Sequence, residues 1–144
     1  MTTPSSGFNG NRRVPVPVNE PVKSYAPGSP ERAALKDRLA SMSAERIDIP
    51  CIIGGKEVRS GDTAKSVMPH NHQHVLAEFH KATAADVDAA IEASRKAQRD
   101  WANWAWEDRA AVFLKAAELL TTTHRATVNA ATMLGQSKTA FQAE

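Results

Sequence analysis

Six of the eight prolines in this 144-residue chain, Pro4, Pro15, Pro17, Pro21, Pro27 and Pro30, fall within the first thirty residues, and that clustering confines regular structure to the later residues. Each proline fixes its own φ, removes a backbone donor and pushes its predecessor out of the helical region, so Pro15-Val16-Pro17-Val18 favours extended backbone. Residues 1–20 are therefore expected to form an extended or disordered arm. A targeting role for it is disfavoured: the arm has no apolar h-region for secretion, and Arg12-Arg13 is too little arginine for an organelle presequence. The whole chain, at 144 residues with 42% hydrophobic and 24% charged residues, has the length and composition of one ordinary soluble domain. No stretch approaches the ~18 consecutive apolar residues of a membrane span. The 18 Lys and Arg against 16 Asp and Glu are dispersed, which argues against a nucleic-acid footprint. A lone cysteine, Cys51, excludes an internal disulfide and any multi-cysteine zinc site.

After the arm, Ser29-Pro30-Glu31 supplies a cap, a first-turn proline and a first-turn acid, and Leu35, Leu39 and Met42 share one face of the helix that they open. Ile49-Pro50-Cys51-Ile52-Ile53 and Lys56-Glu57-Val58 flank Gly54-Gly55, the signature of a β-hairpin with a tight turn. Gly61-Asp62 reads as a turn, and Val75 to Phe79 as a third short strand after a bend at Pro69-His70-Asn71, giving a small antiparallel hairpin or meander. From Thr83 the pattern is helical. Thr83-Ala84-Ala85-Asp86 is a capping box, followed by a stripe of Val87, Ala90, Ile91, Ser94, Ala97 and Trp101. A second helix is expected over Trp106 to Leu120, burying Phe113, Ala116, Ala117 and Leu120, with Thr121-Thr122-Thr123 weakening its end. A third is expected over Arg125 to Leu134, stopped by Gly135, and a last one capped by Ser137 and carrying Ala140 and Phe141. That last helix has a start signal and no stop signal, which reads as an element cut in its middle.

Four groups could carry chemistry, and each has a plainer use. His70, His72 and His74 stand at the period-two spacing that would align three imidazoles on a strand, but only Glu78 or His80 could complete a zinc set, and a polar turn entering a strand is the better reading. Cys51 lies in an apolar run rather than beside cations that would activate a thiolate. Gly135-Gln136-Ser137-Lys138-Thr139 lacks the first glycine and the residue order of a phosphate loop. Trp101, Trp104 and Trp106 fit a packed helix-to-helix corner better than a stacking platform.

Several strings together resemble the N-terminal region of the NAD-dependent delta-1-pyrroline-5-carboxylate dehydrogenases of the aldehyde dehydrogenase superfamily. They are Asn19-Glu20-Pro21-Val22 with Gly28-Ser29-Pro30-Glu31-Arg32, Ile49 to Val58, Pro69 to His74, Asp108-Arg109-Ala110 with Phe113 to Ala117, and Gly135 to Thr139 with Gln142-Ala143-Glu144. The likeness covers residues 19–144. It implies an α/β aldehyde-dehydrogenase-like fold of which this chain is the N-terminal portion only, itself mainly helical, with residues 21–144 an incomplete N-terminal part of the cofactor-binding domain. The implied reaction is oxidation of L-glutamate gamma-semialdehyde to L-glutamate in proline catabolism. A cysteine thiolate adds to the aldehyde, hydride passes to NAD, and a glutamate-activated water releases the acid.

By the same resemblance, the nucleophile, the general base, the nucleotide site and the loop that anchors the substrate carboxylate all lie beyond residue 144. Cys51 matches a structural position, and Glu144 precedes the family glutamate that faces the substrate's amino group without being its counterpart. No residue here is expected to be catalytic, cofactor-binding or metal-ligating. NAD is expected in the complete enzyme and not on this segment, which is expected to be inactive alone. The helices after Thr83 would cover part of the cofactor domain, with the hairpin packed near them. Cut from that surface, Phe113, Phe141 and the tryptophans would stay partly exposed. The implied partner is the remainder of the dehydrogenase, in a homo-oligomer, with no nucleic acid and no membrane. The implied compartment is the cytoplasm, or the mitochondrial matrix in a eukaryote. The alternative is a free-standing, non-catalytic helical interaction module.

Overall fold

The computed structural model describes residues 13–144, and residues 13–29 carry neither helix nor strand. The part of the expected arm before residue 13 lies outside the described residues. Helix α1 (Pro30–Ala44) begins as its sequence dictates: the Ser29 hydroxyl accepts from the Arg32 N–H at 3.4 Å, and Pro30 occupies the first turn. Three short strands follow, β1 (Ile47–Ile49), β2 (Cys51–Ile53) and β3 (Lys56–Val58). Between the first two stands Pro50, which cannot donate to a ladder. β2 and β3 form the expected antiparallel hairpin, with Cys51 opposite Val58. Gly54 and Gly55 both take positive φ, 56° and 78°, which an ordinary side chain rarely adopts.

Strands β4 (Thr63–Met68) and β5 (Asn71–His80) are joined by the turn at Pro69-His70. The expected third strand is the C-terminal half of β5, and it does not extend the hairpin. It lies at the centre of a separate sheet of order β1-β5-β4, antiparallel to β4 and parallel to β1. β4 was not foreseen. Its side chains do not alternate between buried and exposed because both of its faces are partly covered.

Four helices complete the chain: α2 (Ala84–Asn103), α3 (Trp106–Thr121), α4 (Arg125–Gln136) and α5 (Ala140–Ala143). The capping box at α2 is present in both directions between Thr83 and Asp86. The junction of α4 and α5 departs from expectation. Gly135 does not stop α4, and the left-handed position falls at Ser137, with φ of 55°. Ser137 is therefore the end of one helix and not the cap of the next. That cap is Thr139, in a capping box with Gln142.

The core is small and one-sided. Leu35 of α1, Met68 of β4, Ala77 of β5 and Ala130 and Leu134 of α4 are buried, so α1, α4 and the β4–β5 pair meet around one centre. α2 packs on β2, where the tip of the hairpin approaches closely enough that a Cβ on Gly54 would lie 3.6 Å from the Ala93 Cβ. Neither α2 nor α3 has a buried residue. The expected burial of Phe113, Ala116, Ala117 and Leu120 is therefore corrected: Phe113 is 68% exposed and Leu120 52%. The described residues supply no surface opposite them. The same geometry agrees with the expected exposure of Phe141, at 85%, and of the tryptophans.

Candidate functional site

The residues singled out from sequence are dispersed over the fold. Cys51 is half-buried in β2, and its thiol donates to the His80 carbonyl at 3.5 Å. The His80 imidazole is no base for it. The Gly61 N–H donates to His80 Nδ1 at 3.3 Å, which leaves the ring proton on Nε2, facing Asp48 Oδ1 at 3.2 Å. Nothing in this arrangement makes a nucleophilic thiolate.

The three histidines of the 70–74 run part company. His70 sits in the β4–β5 turn with Nδ1 2.7 Å from Ser137 Oγ, His74 places Nε2 2.9 Å from the Ser43 carbonyl, and His72 is exposed. Glu78 is taken by Arg46 at 2.8 Å. Among the described residues no three such side chains converge as a metal site.

The Gly135–Thr139 run is helix followed by a left-handed corner, without the loop between strand and helix that cradles phosphate. The Thr139 N–H is committed to Gln142 Oε1 at 3.0 Å. Trp101 lies 5.4 Å from Trp104 and meets Phe113 edge-on at 6.5 Å, a cluster at the α2–α3 corner that remains half open to solvent.

The one concentrated polar site was not foreseen. The Glu144 carboxylate, with 2% of its side chain exposed, accepts from the Lys23 N–H at 2.9 Å, the Tyr25 hydroxyl at 2.6 Å, Asn129 Nδ2 at 2.8 Å and the Arg125 guanidinium. Asn129 also donates to the Tyr25 oxygen at 2.9 Å, and Arg125 Nη2 donates to the Pro21 carbonyl at 2.8 Å. Burial by itself raises the Glu144 pKa. The donors outweigh it, Arg125 first and then Tyr25, Lys23 and Asn129, and bring the value from the usual 4.5 down to about 2. Burial, and then the bond to Glu144, push the Tyr25 phenol up.

A carboxylate so placed is ionised, filled with donors and closed to substrate. Its chemistry is that of a tie between distant segments. The only local hint in the sequence is Asn129, a polar residue on the face that α4 otherwise makes from Ala126, Ala130, Met133 and Leu134.

A groove of about 600 Å³ runs between the hairpin and α2, lined by Cys51, Ile53, Val87, Ala90 and Ile91. It is the stripe read from the sequence, lying open on its outer side.

The model of the aldehyde dehydrogenase family matches residues 57–144, more than half of the chain. The chain belongs to that family. Among curated relatives, it is 47% identical over 131 residues to the mitochondrial delta-1-pyrroline-5-carboxylate dehydrogenase of Dictyostelium discoideum, a match that takes in 91% of this chain and 24% of the relative. It is 43% identical over 127 residues to the human mitochondrial enzyme of the same name, covering 88% and 23%. Among solved structures, the delta-pyrroline-5-carboxylate dehydrogenase of Mycobacterium tuberculosis bound with NAD and cobalamin superposes with a TM-score of 0.91 at 48% identity, over 95% of this chain and 26% of that one. The chain thus spans about a quarter of the length of the curated relatives it matches. The aldehyde-dehydrogenase-like fold class expected from the sequence is that of these neighbours, with this family member supplying helices and short strands from one part of it.

Proposed function

We propose that the chain is the N-terminal part of an NAD-dependent dehydrogenase that oxidises L-glutamate gamma-semialdehyde, the open form of delta-1-pyrroline-5-carboxylate, to L-glutamate in proline breakdown. The observation that carries this reading is identity of 43–48%, sustained over 88–95% of the chain, to proteins bearing that one enzyme name. Two physical features support it. α2 and α3 present unburied apolar faces, and Arg109 of α3 holds its Nε buried with no acceptor among the described residues. Both are what a segment looks like when its counterpart surface belongs to another stretch of protein.

The glycine-serine-lysine run offers no phosphate loop for a dinucleotide, because it continues α4 and turns a left-handed corner. Nucleotide binding, the nucleophile and the general base would belong to the rest of the enzyme, and these residues would cover one face of it. The complete protein would be a homo-oligomer, in the cytoplasm of a bacterium or the mitochondrial matrix of a eukaryote. No helix among the described residues is long and apolar enough to cross a membrane.

The test compares two proteins. The 144-residue chain alone, given NAD and delta-1-pyrroline-5-carboxylate, should form no NADH, and NAD should not raise its Tm, since a ligand of the native state must stabilise it. Joined to the part of the M. tuberculosis relative that it does not cover, it should yield NADH and glutamate. Turnover by the chain alone, or a folded chimera that reduces NAD with another aldehyde and not with this one, overturns the proposal. A sharp cooperative melt of the chain alone as a monomer would favour the free-standing module instead.

A further inference from the structure

We propose that the His80 imidazole is a pH-sensitive clasp between the β2–β3 hairpin and the β1-β5-β4 sheet: neutral, it holds the turn at Gly61, and on taking a second proton it releases that turn and keeps Asp48. The inference goes beyond the dehydrogenase reading and does not depend on it. Among the described residues the two sheets share no ladder. At their junction, at the end of β5, stands one ring with 10% of its side chain exposed.

The two ring nitrogens reach one body each. A backbone N–H can only donate, so the Gly61 contact at 3.3 Å makes Nδ1 an acceptor and puts the proton on Nε2, which faces Asp48 Oδ1 at 3.2 Å. Asp48 belongs to β1, an edge of the larger sheet, whereas Gly61 lies in the segment that leads from the hairpin to β4. Gly61 takes φ of 83°, and a Cβ there would meet nothing within 4 Å. Glycine is therefore needed for the backbone conformation that presents this N–H, and not for room.

The charged ring cannot keep both contacts. With both nitrogens protonated, Nδ1–H would face the Gly61 N–H, donor against donor. On the other side the charge strengthens the contact, because a bond between two ions exceeds one from a neutral ring. The bond from Arg59 Nε, at 2.8 Å, holds the Asp48 carboxyl below its usual 3.8, so it stays an anion at the pH where imidazoles charge. Charged side chains on the adjoining elements are engaged elsewhere: Glu57 of β3 with Arg59, Asp62 with Lys81, Glu78 of β5 with Arg46, and Asp86 with the Thr83 cap. β4 presents the uncharged Thr63 opposite His80, and from β2 the Cys51 thiol meets the His80 carbonyl rather than the ring. Acid therefore shifts the anchorage without opening the sheet. The turn loses the ring and keeps Lys81, whose N–H donates to the Asp62 carbonyl at 2.8 Å. The hairpin, whose tip meets Ala93 of α2, gains freedom at its base.

The test uses a complete protein, the chain continued by the part of the M. tuberculosis relative that it does not cover. It reads exchange of the Gly61 amide, which answers whether or not that protein oxidises the semialdehyde. With rates corrected for the intrinsic rate at each pH, protection at Gly61 should fall by about 3- to 10-fold, the range of one neutral hydrogen bond, between about pH 8 and about pH 5. The amides of Ala130 and Leu134 in α4 should keep theirs. His80→Asn places a non-titrating oxygen where Nδ1 stood and should protect Gly61 at both pH values. His80→Gln, whose amide reaches the Nε2 position, should leave Gly61 unprotected at both. Protection in the unmodified protein that does not change with pH overturns the proposal, as does an equal change in His80→Asn or protection retained in His80→Gln. If either variant also loses protection in α4, the pH profile of the unmodified protein decides alone.

Discussion

Truncating Phe113 to alanine should have one cost in the chain alone and a much larger one in a complete dehydrogenase. In the 144-residue chain Phe113 is 68% exposed, so about a third of the residue is withdrawn from water. Full burial of a phenylalanine contributes roughly 1.5–3 kcal/mol, and a third of that leaves about 0.5–1 kcal/mol to lose. Where the outer face of α3 is covered, the same change removes the whole contribution and leaves a cavity, which costs about 3–5 kcal/mol. The two contexts should therefore differ by roughly 3 kcal/mol, or about two powers of ten in an opening equilibrium. Native-state hydrogen exchange at the α3 amides reads the local opening free energy in each, in the chain alone and in its chimera with the M. tuberculosis relative. In the chain alone, the substitution should also lower dye binding and self-association, because it removes exposed apolar surface. Nearly equal costs in the two proteins would refute the argument that α3 lacks its counterpart surface.

The Glu144 carboxyl, at about 2 when folded against a usual 4.5, should stabilise the folded state by about 3 kcal/mol. Because the folded value is the lower one, that contribution is complete above about pH 4.5 and is lost as pH falls toward 2; an acid titration of stability that is flat across this window in the unmodified chain, or unchanged by Glu144→Gln, contradicts it. In a complete enzyme, Cys51→Ser should lower stability and leave kcat/KM for the semialdehyde within a few-fold, since its thiol donates to the His80 carbonyl and lines an apolar groove; a folded variant that loses orders of magnitude in turnover would make Cys51 catalytic. At the α4–α5 corner, both Ser137→Gly and Ser137→Ala lose the bond to His70, but only glycine relieves the positive φ. The alanine variant should be the less stable of the two by roughly 1–2 kcal/mol in urea unfolding, and equal midpoints would mean that the left-handed corner is not kept.

Features written in neighbouring residues were legible in the sequence. Ser29-Pro30-Glu31 and Thr83 with Asp86 start their helices through bonds that span three residues, and Gly54-Gly55 turns its hairpin through its own backbone freedom. Features decided by distant partners were not. β1 pairs in parallel with a strand about thirty residues away, Ile47 opposite Ala77, and no local pattern announces it. Gly135 looks like a helix stop, yet the corner falls at Ser137, where a histidine from the β4–β5 turn bonds the serine side chain. The Glu144 cluster joins residues about 120 positions apart. Each part looks ordinary alone, and only the lone polar position on the apolar face of α4 hints that a buried network passes there. The family strings were legible for a different reason: they match a pattern already known, and the match carried the function that physics at single residues could not.

All three tryptophans stand at the α2–α3 corner, while the only tyrosine in the chain, Tyr25, donates its hydroxyl to Glu144. The molecule therefore carries two chromophores that answer different questions. Light at the red edge of the protein band excites the indoles alone, and their emission should shift to the blue when another surface covers that corner. The phenol, whose hydroxyl lies 2.6 Å from a carboxylate, should be dark while that contact lasts, because the excited ring hands its proton to the acceptor, and should brighten when that contact is broken. Burial and Glu144 together also move its ground-state ionisation above 10.0, so an alkaline absorbance titration reports whether that contact is made. Covering of the α2–α3 corner and loss of the Tyr25–Glu144 contact could thus be followed in a single cuvette, with no label attached.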